Sequence, residues 1–226
     1  FTHNLTIVLP TLLGRIRNLF DLSAHPDLIN AHLIQDKLLQ QYIAANPGVR
    51  VPGAFDGFEL AVRAILGQQI TVKAATTLAC RLTEAFSEKL ETPFPELHYL
   101  SPTAENIALA TVEDIAKLGI VNTRAKSIIA LAQAVASGKL KLEAGTHPDK
   151  TIKQLISLPG IGPWTAHYIA MRTMRWPDAF PKEDIAIRNN LGGVTAKQAE
   201  AMSQAWRPWR SYAVFHIWQN LRKTNE

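Results

Sequence analysis

The chain has 226 residues, 47% of them hydrophobic, so it can bury a core as one domain or as two lobes. Its mean hydropathy is near zero, and no apolar run approaches the roughly 20 residues of a membrane-spanning helix, which excludes an integral membrane protein. No basic and then apolar segment resembles a secretory leader. The single cysteine, Cys80, forms no intrachain disulfide, which suits a reducing compartment; it is predicted to be a small core residue.

The net charge of +5 is unevenly distributed. Residues 1–120 carry 9 Lys and Arg against 12 Asp and Glu, whereas residues 121–226 carry 15 against 7. A positive C-terminal half favours a polyanion as partner, although a merely solvated basic surface is the common alternative.

The first predicted element is a strand at residues 5–9, where apolar and polar residues alternate up to Pro10. A lone strand has no ladder partner, so we expect upstream sequence to have completed a small sheet. All later segments show helical periodicity, and Thr111 with Asp114 and Thr195 with Gln198 are predicted to cap two of the helices. The predicted helices are 11–20, 27–45, 56–66, 71–89, 103–109, 112–118, 123–136, 149–157, 163–174, 183–190, 196–205 and 209–221. The predicted fold class is therefore all-α.

A tight turn lies between two of these helices, in the sequence Leu158-Pro-Gly-Ile-Gly-Pro-Trp-Thr-Ala166. Gly160 and Gly162 permit positive φ angles and close approach of a partner, so consecutive amides can surround an anion. Pro163 suits the first position of the following helix, whose N-terminal dipole favours a phosphate. A tight link between packed helices is the plain alternative. The order of these residues between two helical patterns favours a helix-hairpin-helix clamp on the DNA backbone.

Asp184 follows Trp164 by twenty positions, in a segment that looks like a helix start. Its plain role is to complement the helix dipole, but the same position keeps a carboxylate ionised in a partly buried site. Aromatic residues are concentrated in the same C-terminal part and are more often core than ligand contacts. The alternative is that some of them form a stacking wall for a flipped base; the candidates are Trp164, Trp206, Trp209 and Trp218, with Tyr168 and Tyr212 beside them.

Together, Leu158–Ala166, Asp184 and the run Trp206–Ala213 resemble the helix-hairpin-helix DNA glycosylases, in particular the 3-methyladenine DNA glycosylase II branch. Phe55–Glu59, Arg63–Gln69 and Phe20-Asp21-Leu22 fit the same family, so the resemblance covers nearly the whole chain. It implies two helical lobes flanking a DNA-binding cleft, and a small N-terminal α+β lobe of which a strand and a helix remain here. The implied domains are 1–34 for that remnant, 59–176 for the central lobe that ends in the helix-hairpin-helix, and 35–58 with 177–226 for the lobe that carries Asp184.

The resemblance also implies site residues. Asp184 matches the catalytic aspartate of the family, and Trp164 and Trp218 match its pocket aromatics; Tyr168 and Tyr212 complete the predicted base pocket. Gly160, Gly162 and Thr165 match contacts to phosphate. Gln69 stands where a well-known relative has a leucine wedge, so it is the predicted probe, with Ile70 as a neighbour to test and an ordinary helix-end role as the alternative. No metal site or cofactor is expected beyond a Na⁺ or K⁺ on the carbonyls of Ile156, Leu158 and Ile161.

Two differences from other members of the family reduce the number of reactions that we expect of this chain. Bifunctional members carry a nucleophilic lysine where this chain has Trp164, and several members hold an iron–sulfur cluster with four cysteines. The resemblance therefore implies a monofunctional glycosylase that removes alkylated purines of the 3-methyladenine and 7-methylguanine type from double-stranded DNA by base flipping. We expect a monomer in the cytoplasm, associated with the nucleoid. The alternatives are a non-catalytic helix-hairpin-helix DNA-binding module and a glycosylase for other damaged bases.

Overall fold

The computed structural model describes residues 5–223, and this part of the chain is helical, which confirms the predicted class. No residue in it belongs to a named strand; Lys89 and Tyr99 form an isolated antiparallel bridge. The helices are α1 Leu9–Leu19, α2 Pro26–Leu33, α3 Lys37–Ala45, α4 Gly57–Leu66, α5 Val72–Phe86, α6 Ala104–Ala108, α7 Val112–Ala116, α8 Asn122–Ala136, α9 Pro148–Ile156, α10 Pro163–Thr173, α11 Ile185–Asn190, α12 Ala196–Met202 and α13 Arg210–Lys223, with a 3₁₀ helix at Ser203–Trp206.

The strand predicted at residues 5–9 is wrong. Residues 5–8 form a 3₁₀ and turn segment, and Leu9 already begins α1. Pro10 stands in the first turn of that helix, where its missing N–H costs no hydrogen bond, so it starts an element rather than ending one. The alternation also buries nothing, because the exposed fraction of Ile7 is 88%.

Helix caps explain most of the observed boundaries. Thr111 with Asp114 and Thr195 with Gln198 form the two predicted capping boxes. The single helix predicted at 27–45 is instead two helices, because the Asp36 side chain accepts a hydrogen bond from the amide of Leu38 at 2.9 Å and begins α3.

Contacts divide the chain into two compact units. Unit 1 comprises the described residues up to Phe55 and from Ala170 onward, and unit 2 comprises Asp56–Ile169. Unit 2 overlaps the predicted central lobe, 59–176, at residues 59–169; the predicted division into domains stays a prediction. α10 begins in unit 2 and continues into unit 1.

Each unit has its own apolar core. In unit 1 the fully buried side chains include Leu39, Phe180 and Trp206. In unit 2 they include Ile65, Ile107, Ile115, Ile128 and Leu131. The prediction that Cys80 is a core residue is wrong: the thiol is exposed, because α5 buries only Ala79 and Leu82 on its inner face. Among the described residues, no helix is both long and apolar enough to cross a membrane.

Candidate nucleic-acid interface and catalytic residues

The predicted hairpin of unit 2 connects α9 to α10. After Ile156 the chain turns tightly, with the amide of Leu158 donating to the carbonyl of Leu155 and the amide of Ile161 donating to the carbonyl of Leu158. Ile161 is 4% exposed and anchors the turn in the core. The carbonyl of Gly162 accepts the first helical hydrogen bond of α10, from Ala166 at 3.0 Å. The N-terminus of α10, whose dipole favours an anion, therefore follows directly on the turn.

The two hairpin glycines are required for different reasons. Gly160 has a φ of +73°, and a Cβ there would lie 2.2 Å from Ser127 Oγ of α8. Gly162 has no positive φ, and no atom lies within 4 Å of the place of its Cβ. The sequence-based expectation of a left-handed backbone is confirmed at Gly160 only. The fold itself therefore leaves room for a side chain at exposed Gly162, and the predicted contact of this glycine with phosphate stays a prediction.

Gln68, just after α4, fastens the hairpin. Its Nε2 donates to the carbonyl of Gly160 and to Oγ1 of Thr165, both at 3.1 Å. Thr165 is 4% exposed, so its buried hydroxyl serves this contact. The part of Thr165 that suits the predicted phosphate contact is its backbone amide in the first turn of α10.

Gln69, the predicted probe, is exposed and has a φ of +55°. A left-handed glutamine is strained by about 1–2 kcal/mol, and such strain persists where the surrounding structure imposes it. The neighbouring Ile70 is half-buried and lies before Thr71, which caps α5. Of the two, Gln69 is the residue that the backbone turns outward into solvent.

Two predicted pocket aromatics form a pair in unit 2. The rings of Trp164 and Tyr168, one helical turn apart on α10, are stacked with centroids 5.4 Å apart and planes at 5°. Both residues are half-buried, so the pair presents a continuous aromatic surface.

Asp184 is the N-cap of α11 in unit 1, one position before the first-turn place that the sequence predicted. Its Oδ1 accepts a hydrogen bond from the amide of Ile187 at 2.8 Å, and the residue is 8% exposed. A carboxylate held in this way is oriented by the backbone before any ligand arrives.

The segment that leads to Asp184 is fastened to the start of α13. Arg210 is 3% exposed and forms a two-bond ion pair with Asp178, at 2.7 and 3.0 Å. Ser211 donates through its hydroxyl to the carbonyl of Trp176 at 2.8 Å. These bonds fix the backbone that precedes Asp184. Arg210 and Ser211 therefore help to hold the position of this carboxylate.

Tyr212 and Trp218, both on α13, have different surroundings. Tyr212 is 6% exposed, and its hydroxyl donates to Oδ2 of Asp21 at 2.7 Å; burial, and then this bond to a carboxylate, raise the pKa of Tyr212 above its ordinary value. Its contacts favour a structural role, and the predicted pocket role stays untested. Trp218 is half-buried and its ring packs edge-on against Phe215, with centroids 5.4 Å apart.

The network around Asp21 was missed by sequence reasoning. Asp21 is 4% exposed, pairs with Arg175 at 2.9 Å and accepts from the amide of Val51 at 3.2 Å, and both partners of the ion pair have left-handed backbones. Gln68 was also missed as a site residue. The positive φ angles of Asp21 and Arg175 have no signal in the local sequence, so their pairing could not be predicted. Gln68 could have been considered, because it lies in the Arg63–Gln69 segment that resembles the family.

The predicted cation site consists of backbone carbonyls alone. The carbonyl of Leu158 accepts one hydrogen bond, from Ile161 at 3.3 Å, and a carbonyl oxygen has a second lone pair. Ile156 is the last residue of α9, where carbonyls lack helical partners. A monovalent ion at these carbonyls stays a prediction. No group of three or more His, Cys, Asp or Glu side chains in the described part of the chain could hold a metal ion.

Comparison with known proteins gives matches across the chain. The model of the AlkA N-terminal domain matches residues 1–56, and that of the HhH-GPD superfamily base excision DNA repair protein matches residues 62–211. DNA-3-methyladenine glycosylase 2 of Escherichia coli is 37% identical over 206 residues, which are 91% of this chain and 70% of the relative. The probable bifunctional transcriptional activator/DNA repair enzyme AlkA of Mycobacterium tuberculosis is 39% identical, over 94% of this chain and 43% of the relative.

Among solved structures, the 8-oxoguanine glycosylase/lyase of Clostridium acetobutylicum in complex with double-stranded DNA has a TM-score of 0.77 at 20% identity, over 93% of this chain and 74% of that chain. That likeness concerns the fold. The extent of the family match and the identity to the E. coli relative decide the classification. This chain belongs to the HhH-GPD superfamily of base excision DNA repair proteins.

Proposed function

We propose that this protein is a monofunctional DNA glycosylase that hydrolyses the N-glycosidic bond of alkylated purines, of the 3-methyladenine and 7-methylguanine type, in double-stranded DNA. The observation that carries the proposal is Asp184, a nearly buried carboxylate oriented by the amide of Ile187. The relatives named as 3-methyladenine DNA glycosylases support the class of substrate.

The hairpin supplies the grip on DNA. The amides at the start of α10 bind a phosphate of the duplex, and Gly162 lets the backbone approach it closely. Exposed Lys126, Lys150 and Lys153 add attraction for the phosphate backbone that does not depend on sequence. Gln69 fills the gap in the stack when the damaged nucleotide is extruded, at a cost of a few kcal/mol.

The chemistry needs one carboxylate. A purine alkylated at N3 or N7 is cationic, so it departs as a neutral base with the electron pair of the C1′–N bond, without a general acid. Asp184 stabilises the positive charge that develops on the sugar and accepts the proton of the water that adds to C1′. The products are the free base and an abasic site. Trp164 and Tyr168 select the electron-poor base by stacking, which cation–π attraction strengthens by about 0.5–2 kcal/mol.

Absence of lyase activity is part of the proposal. The side chain at position 164 is an indole and cannot form a Schiff base with the sugar. Borohydride should therefore trap no covalent enzyme–DNA product during excision. A trapped product would mean that another amine of the chain acts as nucleophile.

Asp184→Asn is the decisive test, because asparagine caps helices as well as aspartate does. The hydrogen bond to Ile187 can persist, so the variant removes charge and little else. We expect release of labelled 3-methyladenine from alkylated DNA to fall by a factor of about 10² or more, with duplex affinity and unfolding free energy nearly unchanged. Asp56→Asn, the same change at the N-cap of α4, is the matched control and should stay active.

The outcomes separate the alternatives. Excision retained by Asp184→Asn would contradict the assignment of the carboxylate. A wild-type protein that binds duplex but releases no base from alkylated, oxidised or mispaired DNA would be a non-catalytic binding module. Release of oxidised or mispaired bases alone would indicate the other glycosylase class. A cytoplasmic, nucleoid-associated monomer fits this function, and gel filtration with and without a short duplex tests the stoichiometry.

A further inference from the structure

The loop between α4 and α5 contains two consecutive glutamines with opposite surroundings. Gln68 is half-buried and bonded at both its side chain and its backbone, whereas Gln69 is exposed with a left-handed backbone. The first residue is fixed by the rest of unit 2, and the second extends from it into solvent.

The contacts of Gln68 lead directly to the hairpin. The two hydrogens of its amide are directed to the Gly160 carbonyl and the Thr165 hydroxyl, which uses the full donor capacity of the group. Gly160 belongs to the turn and Thr165 to the first turn of α10, so one side chain spans the anion-binding part of the hairpin. These partners lie 92 and 97 positions away along the chain.

A second contact fixes the backbone of the same residue. The guanidinium of Arg124, on α8, donates to the carbonyl of Gln68. That carbonyl belongs to the peptide unit whose nitrogen is on Gln69, so Arg124 restrains the peptide plane from which the left-handed φ of Gln69 follows. On the far side, Thr71 closes the loop by accepting from the amide of Ala74 at 3.2 Å.

We infer that Gln68, with Arg124, is a positioning residue that couples the phosphate grip of the hairpin to the probe residue Gln69. The inference rests on the proposed function and adds a residue to it. When the hairpin is seated on the DNA backbone, the hydrogen bonds of Gln68 fix where Gln69 enters the duplex. Without them the hairpin still binds phosphate, but the left-handed conformation of Gln69 relaxes and its insertion loses register.

The test compares Gln68→Ala with Gln154→Ala. Gln154 also uses its amide on a backbone carbonyl of unit 2, that of Lys139 at 2.8 Å, so its loss controls for the removal of such a bond. The measurements are melting temperature, affinity for undamaged duplex, fluorescence of 2-aminopurine placed beside an abasic site, and single-turnover excision of 7-methylguanine. We expect Gln68→Ala to reduce the fluorescence response and the excision rate on the order of tenfold. Affinity for undamaged duplex and melting temperature should match those of the control.

A double-mutant cycle gives the sharper answer. Once Gln69→Ala has removed the probe, the additional change Gln68→Ala should cost little, because the two residues act as one unit. Independent, multiplying losses would overturn the inference, as would a fall in undamaged-duplex affinity as large as the fall in excision. If the wild type releases no base, the proposed function fails; the fluorescence and affinity arms then still decide whether Gln68 and Gln69 are coupled.

Discussion

Replacing Gly160 by alanine tests whether the hairpin is held by its left-handed turn. An L-residue at a φ of +73° costs about 1–2 kcal/mol. The new Cβ would also lie 2.2 Å from Ser127 Oγ, so that hydroxyl must move and give up its 2.9 Å hydrogen bond to the carbonyl of Thr123, which adds about 1 kcal/mol. The sum predicts a loss of about 2–3 kcal/mol in the free energy of unfolding.

Urea denaturation of four variants, among them Gly160→Ala itself, separates these contributions. Ser127→Ala removes the obstructing hydroxyl, and the next nearest atom, Ser127 Cβ, stands at an ordinary 3.5 Å. Ser127→Ala alone gives up the same hydrogen bond, so the double variant Gly160→Ala with Ser127→Ala should lose about 1 kcal/mol less than the sum of the two single losses. Gly162→Ala should change the free energy of unfolding by at most about 1 kcal/mol, since its Cβ meets nothing within 4 Å.

Affinity for duplex DNA gives the opposite ranking. Gly162→Ala should weaken binding of short duplexes although it barely changes stability, because its methyl group occupies the space of the phosphate. A Gly160→Ala protein as stable as the wild type would refute the account of the turn. Undiminished DNA affinity in Gly162→Ala would refute the role given to that glycine.

Two further predictions concern buried polar groups of unit 1. Tyr212→Phe removes the 2.7 Å hydrogen bond to Asp21, so the free energy of unfolding should fall by about 1–3 kcal/mol with the excision rate of the folded protein unchanged; equal stability would contradict the contact. Burial lowers the pKa of His216 to about 4, so its neutral form supports the fold fully above the ordinary pKa of 6.5 and loses this contribution as the pH falls towards 4. Between about pH 7.5 and 5 the wild type should lose about 2 kcal/mol more than His216→Gln in urea denaturation, and parallel pH profiles would contradict the assignment.

Local sequence signals predicted the elements and failed at pairings. The Thr111–Asp114 capping box is a local feature, because its two residues are three positions apart. The left-handed turn at Gly160 is also local, because it depends on the backbone angle of that residue. The Gln68–Gly160 and Asp21–Tyr212 bonds span 92 and 191 positions, and no periodicity encodes such distances. The strand expected at residues 5–9 failed for the same reason: alternation over five residues acquires meaning only with a ladder partner.

In the candidate site, too, residues within a motif could be predicted and long-range contacts could not. The aspartate, the tryptophans and the glycines could be identified because they match a motif in order and spacing. The contacts that hold these residues in place could not be predicted, because the motifs that contain Arg210 and Gln68 do not show which residues they pair with. Their roles depend on the three-dimensional placement of Asp178 and Gly160.

The connectivity of the two units has a consequence for synthesis on the ribosome. Unit 2 is one continuous stretch, Asp56–Ile169, so all its partners exist once that stretch has emerged. Unit 1 joins early and late residues: Asp21 finds Arg175 154 positions later and Tyr212 191 positions later. The segment up to Phe55 therefore remains unpaired during synthesis, with Asp21 in contact with water, while unit 2 folds. Pulse-labelled nascent chains should acquire protease resistance in unit 2 first, and the half that carries Asp184 last.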